Sequence, residues 1–256
     1  MTLFGNLLVS AVYPGKPGIL QVLHSNKRPE RPFGRSFPQK TRSRMKKVAG
    51  VYMTKTRIAV FVSGGGTNLR ALIDAQAKGI IKSGEIVLVV ASNPEAYALE
   101  RAKKAGIPGV VCSRKLLGSQ EAFEDAISAQ LKTYKIDLIV LAGFMSILSE
   151  SFTRAWPRRI INVHPSLIPS FCGKGFYGLH VHEKALEYGV KVTGATVHFV
   201  NESPDGGKII AQKAVEILDG DTPEVLQKRV MEQAEWIILP QAAEQISHEI
   251  AKEKEA

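Results

Sequence analysis

Asn162 and His164 stand two residues apart in the stretch RIINVHPSLIPSF, residues 159–171. Apolar neighbours make this stretch read as a buried strand, and alternate residues of a strand project to one face. Pro165 ends the strand, which puts both polar groups at its carboxyl end, where open α/β sheets bind ligands. An amide donor and an imidazole aimed at one point can stabilise the oxyanion that forms when a carbonyl is attacked. Taken singly, a buried histidine is as readily a hydrogen-bonded core residue. A carboxylate would hold the imidazole in its useful protonation state. Asp205 in ESPDGGKII is the candidate, following a strand that carries one more histidine, His198. The two glycines after Asp205 allow a sharp bend and a close approach to a ligand. The same PDGG also reads as a plain turn.

A second constellation is SGGGTNLRALI, residues 63–73, in which a strand runs through three glycines into a helix start. Unobstructed backbone N–H groups at a helix N-terminus form an anion site. The dinucleotide fingerprint fails at Leu69 and lacks an acid after the second strand, and the Walker pattern is absent. A single phosphate remains the natural occupant, with Thr67 and Asn68 as extra donors or as caps. A tight turn capped by Thr67 or Asn68 is the competing reading.

The elements that must position these groups alternate. Residues 57–63, 85–92, 109–112, 137–144 and 159–164 read as strands, while 68–78, 94–105 and 120–134 space their apolar residues as helices do. Alternation of this kind implies an open, mostly parallel, twisted α/β sheet with helices on both faces. Residues 192–200 and 208–217 read as two further strands, and one long helix is expected from Pro223 to about Ile250.

The net charge of +10 is unevenly placed. Residues 1–52 hold ten Lys or Arg, one acid and five prolines, whereas the rest holds 24 basic and 23 acidic residues. The first 52 residues are expected to be a disordered basic leader, and 53–256 the catalytic domain. A start at Met45 or Met53 is the preferred explanation of the leader, and organellar import the alternative. A nearly neutral folded part argues against a nucleic-acid footprint. Two cysteines without metal spacing, and no apolar run of membrane-spanning length, lead to the expectation of a cytoplasmic protein without metal or membrane contact.

The set SGGGTNL, LAGFMSIL, INVHPSLIPSF, GATVHFV and PDGG, in this order, resembles the glycinamide ribonucleotide formyltransferases of purine biosynthesis, from Arg57 to the final helix. The resemblance implies that 10-formyltetrahydrofolate, as co-substrate, donates its formyl group to the amine of glycinamide ribonucleotide. It implies catalysis by Asn162, His164 and Asp205, and ribonucleotide binding by Gly66, Thr67, Asn68 and Glu235. Folate binding falls on Met145, Ser146, Ile147 and Leu148, on Asn162, and on Val200, Asn201, Glu202, Ser203, Pro204 and Asp205. Gln120 stands where several members carry a folate-contacting arginine, which weakens the expected contact to the folate tail. The stretch 170–182 is longer than in many members and, with Gly173, Gly175 and Gly178, is expected to be a mobile flap. His180 and His182 within it lack a third ligand in a clear metal pattern. A monomer or homodimer acting on small molecules is expected. Formyltetrahydrofolate deformylase and methionyl-tRNA formyltransferase are the alternatives. A non-catalytic nucleotide-binding module would be expected to lack Asn162, His164 and Asp205.

Overall fold

The computed structural model describes residues 54–255, and the leader expected over 1–52 lies outside them. Seven strands form one sheet: β1 Thr56–Val62, β2 Gly84–Ala91, β3 Gly109–Val111, β4 Leu138–Leu141, β5 Ile160–His164, β6 Val192–Phe199 and β7 Ile209–Glu216, in the order β3-β2-β1-β4-β5-β6-β7. The first five pair in parallel, while β5–β6 and β6–β7 are antiparallel. The open, mostly parallel sheet expected from the alternation is therefore present.

The two faces of the sheet follow from period-two alternation. Ile58, Val60 and Val62 of β1, with Leu138 and Val140 of β4, enter one apolar core, while Ala59, Phe61, Ile139 and Leu141 enter the other. On the first face lie α1 (Thr67–Ala77), α2 (Ala98–Lys104), and the C-terminal helices α7 (Pro223–Val230) and α8 (Trp236–Glu255), through residues such as Leu69, Leu72, Ala102, Val230 and Leu239. The second face receives α4 (Gln120–Thr133) and α5 (Glu150–Arg154) through Phe123, Ile127, Leu131 and Phe152. Short α3 (Arg114–Leu117) precedes α4, and α6 (Leu179–Tyr188) follows β5. No helix among the described residues is long and apolar enough to cross a membrane.

Two expectations are corrected. The helix expected over 94–105 begins at Ala98, after a turn. The single final helix is two, joined by a π-helical turn, Met231–Glu235, and α8 carries Pro240 in its interior. A widened turn inserts a residue without breaking the apolar stripe, so the spacing of apolar residues does not betray it. In the stretch 170–182, residues 179–182 belong to α6, Gly173 N donates to Asp205, and the Phe171 carbonyl accepts from His164.

Gly194 on β6 shows how closely the antiparallel half is packed. A Cβ added there would lie 2.1 Å from the Lys213 carbonyl oxygen and 2.9 Å from Leu167 Cδ2. Backbone cannot yield as a flexible side chain does. Gly194→Ala is expected to cost about 1–3 kcal/mol and lower Tm by roughly 5 °C, which thermal unfolding would measure.

Candidate active site

Parity places the polar pair. Ile161 and Val163 enter the core on the first face, so Asn162 and His164 project to the opposite one. On β6, Ala195 and Val197 alternate likewise, leaving Thr196 and His198 on the same face as the pair. The antiparallel register sets Asn162 opposite His198 and His164 opposite Thr196. A polar strip thus crosses two strands inside an apolar sheet.

Asp205 reaches this strip from the β6–β7 connection. Its backbone adopts φ 55°, the left-handed region that L-residues rarely enter, and its carboxylate lies between two imidazoles. One oxygen is 3.5 Å from His164 Nδ1, and the other is 3.6 Å from His198 Nε2. The first oxygen also accepts Gly173 N–H at 2.9 Å. Burial pushes the Asp205 carboxyl up, but His198, His164 and the Gly173 N–H outweigh it and hold the group below the ordinary carboxylate range.

The protonation of His164 follows from its partners. Nε2 lies 2.8 Å from the Phe171 carbonyl, which can only accept, so Nε2 carries a hydrogen and Nδ1 is the nitrogen that gains or loses a proton. Burial depresses the proton affinity of His164, while Asp205 and Phe171 oppose that effect and His198 adds to it; the net shift is downward. A neighbouring carboxylate favours an imidazolium, but the net downward shift makes the neutral ring the resting form near neutral pH. Removal from solvent outweighs one carboxylate at 3.5 Å.

The glycine loop sits at the same carboxyl edge. Ser63 N–H donates to the Gly143 carbonyl, Met145 N–H donates to Ser63 Oγ, and Ser63 and Ser92 hydroxyls meet at 2.6 Å, so the loop and the segment 143–148 are neighbours. Gly66 caps α1 in a left-handed conformation, φ 71°, without a side-chain cap. Among the described residues no acceptor pairs with the amides of Gly64 to Leu69. Thr67 and Asn68 are not caps. The Thr67 hydroxyl points to Met231 sulfur at 3.8 Å, and the Asn68 side chain turns inward, donating to Glu235 at 2.6 Å. Glu235, placed by the π-helical turn, is 6% exposed, and burial raises its carboxyl to about 7 against the lowering effect of Asn68. It thus underlies the loop and reaches it through Asn68.

Of the segments matched to folate binding, Met145 and Ile147 are exposed apolar side chains, while Leu148 and Val200 pack partly against the second core. Ser146 and Asn201 are half-buried, and Glu202, Ser203 and Pro204 exposed. Gln120 is engaged with the Ile147 carbonyl and Glu124, bracing that segment. Val200, Asn201 and Glu202 also line a cavity of about 380 Å³ with Thr153, Arg158 and Lys208, but Asn162, His164 and Asp205 do not. The side chains that converge on Asp205, rather than this cavity, mark the candidate site. His180 is exposed and meets Glu183, whereas His182 is buried on another side of α6, with its proton affinity lowered to about 4. His198 is the functional candidate that its position in the sequence alone did not assign; the parity of VTGATVHFV was the available signal.

Residues 56–243 match the family model described as formyl transferase. The chain is 45% identical over 185 residues to the Trifunctional purine biosynthetic protein adenosine-3 of Drosophila melanogaster, covering 71% of this chain and 13% of that relative. It is 43% identical over 184 residues to the phosphoribosylglycinamide formyltransferase of Haemophilus influenzae, covering 72% of this chain and 84% of that one. The structure of glycinamide ribonucleotide transformylase 1 from Symbiobacterium toebii superposes with TM-score 0.72 at 39% identity, covering 80% of this chain and 94% of that one.

The buried Glu235 makes stability depend on pH. Its carboxyl is raised from 4.5 to about 7 in the folded chain, so the unfolded chain releases its proton first and this group's contribution to stability falls as pH rises from 4.5 to 7, by about 3 kcal/mol. Glu235→Gln keeps an oxygen for Asn68 and removes the titration. His182, lowered to about 4, acts in the opposite direction but is common to both proteins, so the melting temperature of Glu235→Gln relative to the parent is expected to rise as pH goes from 4.5 to 7.

Proposed function

The chain belongs to the formyl transferase family, and on that basis we propose that it transfers the formyl group of 10-formyltetrahydrofolate to the amine of glycinamide ribonucleotide, giving formylglycinamide ribonucleotide and tetrahydrofolate. The observation that carries the reading is the convergence of Asn162, His164 and Asp205, with His164 Nδ1 facing the carboxylate at 3.5 Å. The phosphate of the ribonucleotide is assigned to the amides of Gly66, Thr67 and Asn68, with Glu235 supporting Asn68 from below. Folate is assigned to residues 145–148 and 200–205. The proposed compartment is the cytoplasm.

The substrate amine attacks the formyl carbon, and the C=O electron pair moves to oxygen. Asn162 donates to that oxygen. His164, neutral at rest, accepts the proton released by the attacking nitrogen, directly or through water, and Asp205 stabilises the imidazolium that forms. Collapse of the tetrahedral intermediate breaks the bond to the folate nitrogen, which takes up a proton and leaves as tetrahydrofolate. Burial of His164 is useful here, because a neutral imidazole can accept a proton and an imidazolium cannot.

The direct test mixes the full chain with both substrates and follows tetrahydrofolate and formylglycinamide ribonucleotide, which should appear in equal amounts. Formate released without the ribonucleotide would overturn the transfer reading in favour of hydrolysis.

Gly65→Val probes the phosphate loop. A Cβ at Gly65 meets nothing within 4 Å, whereas one at Gly66 would lie 2.6 Å from Ala98 Cβ. The Gly65 variant should therefore keep its melting temperature and raise KM for the ribonucleotide by roughly tenfold or more, with the folate KM little changed. Asp205→Asn probes the proton acceptor: kcat should fall about 100-fold, and the His164 pKa, followed by NMR, should drop further because the opposing charge is gone. Adding His164→Ala to that variant should cost far less than the product of the single losses.

A further inference from the structure

His198 is 1% exposed and lies directly across the β5–β6 ladder from Asn162. Its Nδ1 is 2.8 Å from the Phe199 carbonyl, so Nδ1 carries a hydrogen and donates it. Nε2 is 3.2 Å from Asn162 Nδ2 and 3.6 Å from the nearer Asp205 oxygen. The second distance is too long for a hydrogen bond, and in the neutral ring, whose hydrogen sits on Nδ1, Nε2 is the acceptor for the Asn162 amide.

A side-chain amide has two ends of nearly equal shape and opposite polarity. In one orientation Asn162 gives an N–H to His198 and keeps a second N–H for a ligand. After a half-turn, the amide oxygen would face the Nε2 lone pair and also lose the donor that an oxyanion requires. The imidazole tautomer, fixed by the Phe199 carbonyl, rejects the second orientation.

We infer that His198 is a positioning residue for formyl transfer, fixing the Asn162 amide so that its free N–H faces the formyl oxygen. The inference rests on the proposed transfer reaction for its kinetic consequence, but the orientation of Asn162 is measurable without turnover. Asp205 thereby stands between two imidazoles with different tasks: His164 accepts a proton, and His198 aims a donor.

The test compares His198→Ala and His198→Gln with the parent, each alone and combined with Asn162→Ala. His198→Ala should lower kcat by roughly 10 to 100-fold, less than the about 100 to 1,000-fold typical for deleting an oxyanion donor, while KM for the ribonucleotide stays within about threefold. In the Asn162→Ala background the same change should cost under about threefold. His198→Gln, whose side-chain oxygen can accept from Asn162, should recover part of the loss. Equal losses in both backgrounds, or full activity in His198→Ala, would overturn the assignment. Side-chain amide NMR of Asn162 supplies the readout that needs no substrate. One Asn162 amide proton should be slowed in exchange in the parent and in His198→Gln, and equal fast exchange of both protons in the parent would also overturn it. A parent that binds and orients Asn162 in this way but transfers no formyl group would refute the proposed reaction and leave the positioning contact standing.

Discussion

One carboxylate in a left-handed backbone holds the site together. Asp205 accepts the Gly173 amide and lies beside His164 and His198, so a single side chain joins the β6–β7 connection, the loop after β5 and the polar strip on the sheet. A non-glycine residue at φ 55° costs about 1 kcal/mol or more, and persists where surrounding contacts over-determine it. The following residues enforce the bend. A Cβ at Gly207 would lie 1.7 Å from the Phe199 carbonyl oxygen, so the chain can return over the end of β6 only with glycine there. PDGG is thus a turn that also brings Asp205 beside two imidazoles, so the turn reading does not exclude the other.

The change from parallel to antiparallel pairing explains why the polar strip exists. In the parallel part, helices cover both faces and the strand interiors are apolar, as β4 is throughout. At β5–β6 the second face is covered by loop 165–178 instead, whose carbonyls and amides need partners. His164 satisfies Phe171, Ser166 satisfies Ser170, and Thr196 links Ser166 with Ile168. Polar side chains are stable there because they meet backbone groups. The same burial that lowers the proton affinity of His164 suits it to the proton acceptance proposed above, so the fold and the proposed chemistry draw on one desolvation effect.

Much of this was legible in the sequence for local reasons. Alternation of apolar runs gave the sheet, and the two-residue spacing of Asn162 and His164 ahead of Pro165 gave a shared face at a strand end. Asp205 was legible as a candidate because glycines follow it. What was hidden depends on pairings far apart in the chain. Asn68 and Glu235 meet across 167 positions, and the inward turn of Asn68, which removes it from capping, cannot be inferred from TNL alone. The role of His198 depends on the β5–β6 register, fixed only when both strands pair. The π-helical turn leaves the apolar spacing of α7 and α8 nearly continuous, so the break was invisible while its consequence, an inward Glu235, is large.

The Asn68–Glu235 contact places an acid next to the loop to which the phosphate is assigned in the proposed reaction, an arrangement that would oppose itself if the acid were charged. A carboxylate in a medium of low polarizability would repel a phosphate held a few ångströms above it. Burial resolves the conflict by raising Glu235 to about 7, so that near neutral pH a large share of it is an uncharged acid. Protonated, it can still accept the Asn68 N–H and can also donate to Asn68 Oδ1, a buried oxygen without a partner among the described residues. An anion arriving at the loop would favour that protonated form further, since the charge it would otherwise face is the one that burial already penalises. In the proposed ribonucleotide complex, support for Asn68 would therefore strengthen through a proton rather than through movement of the backbone.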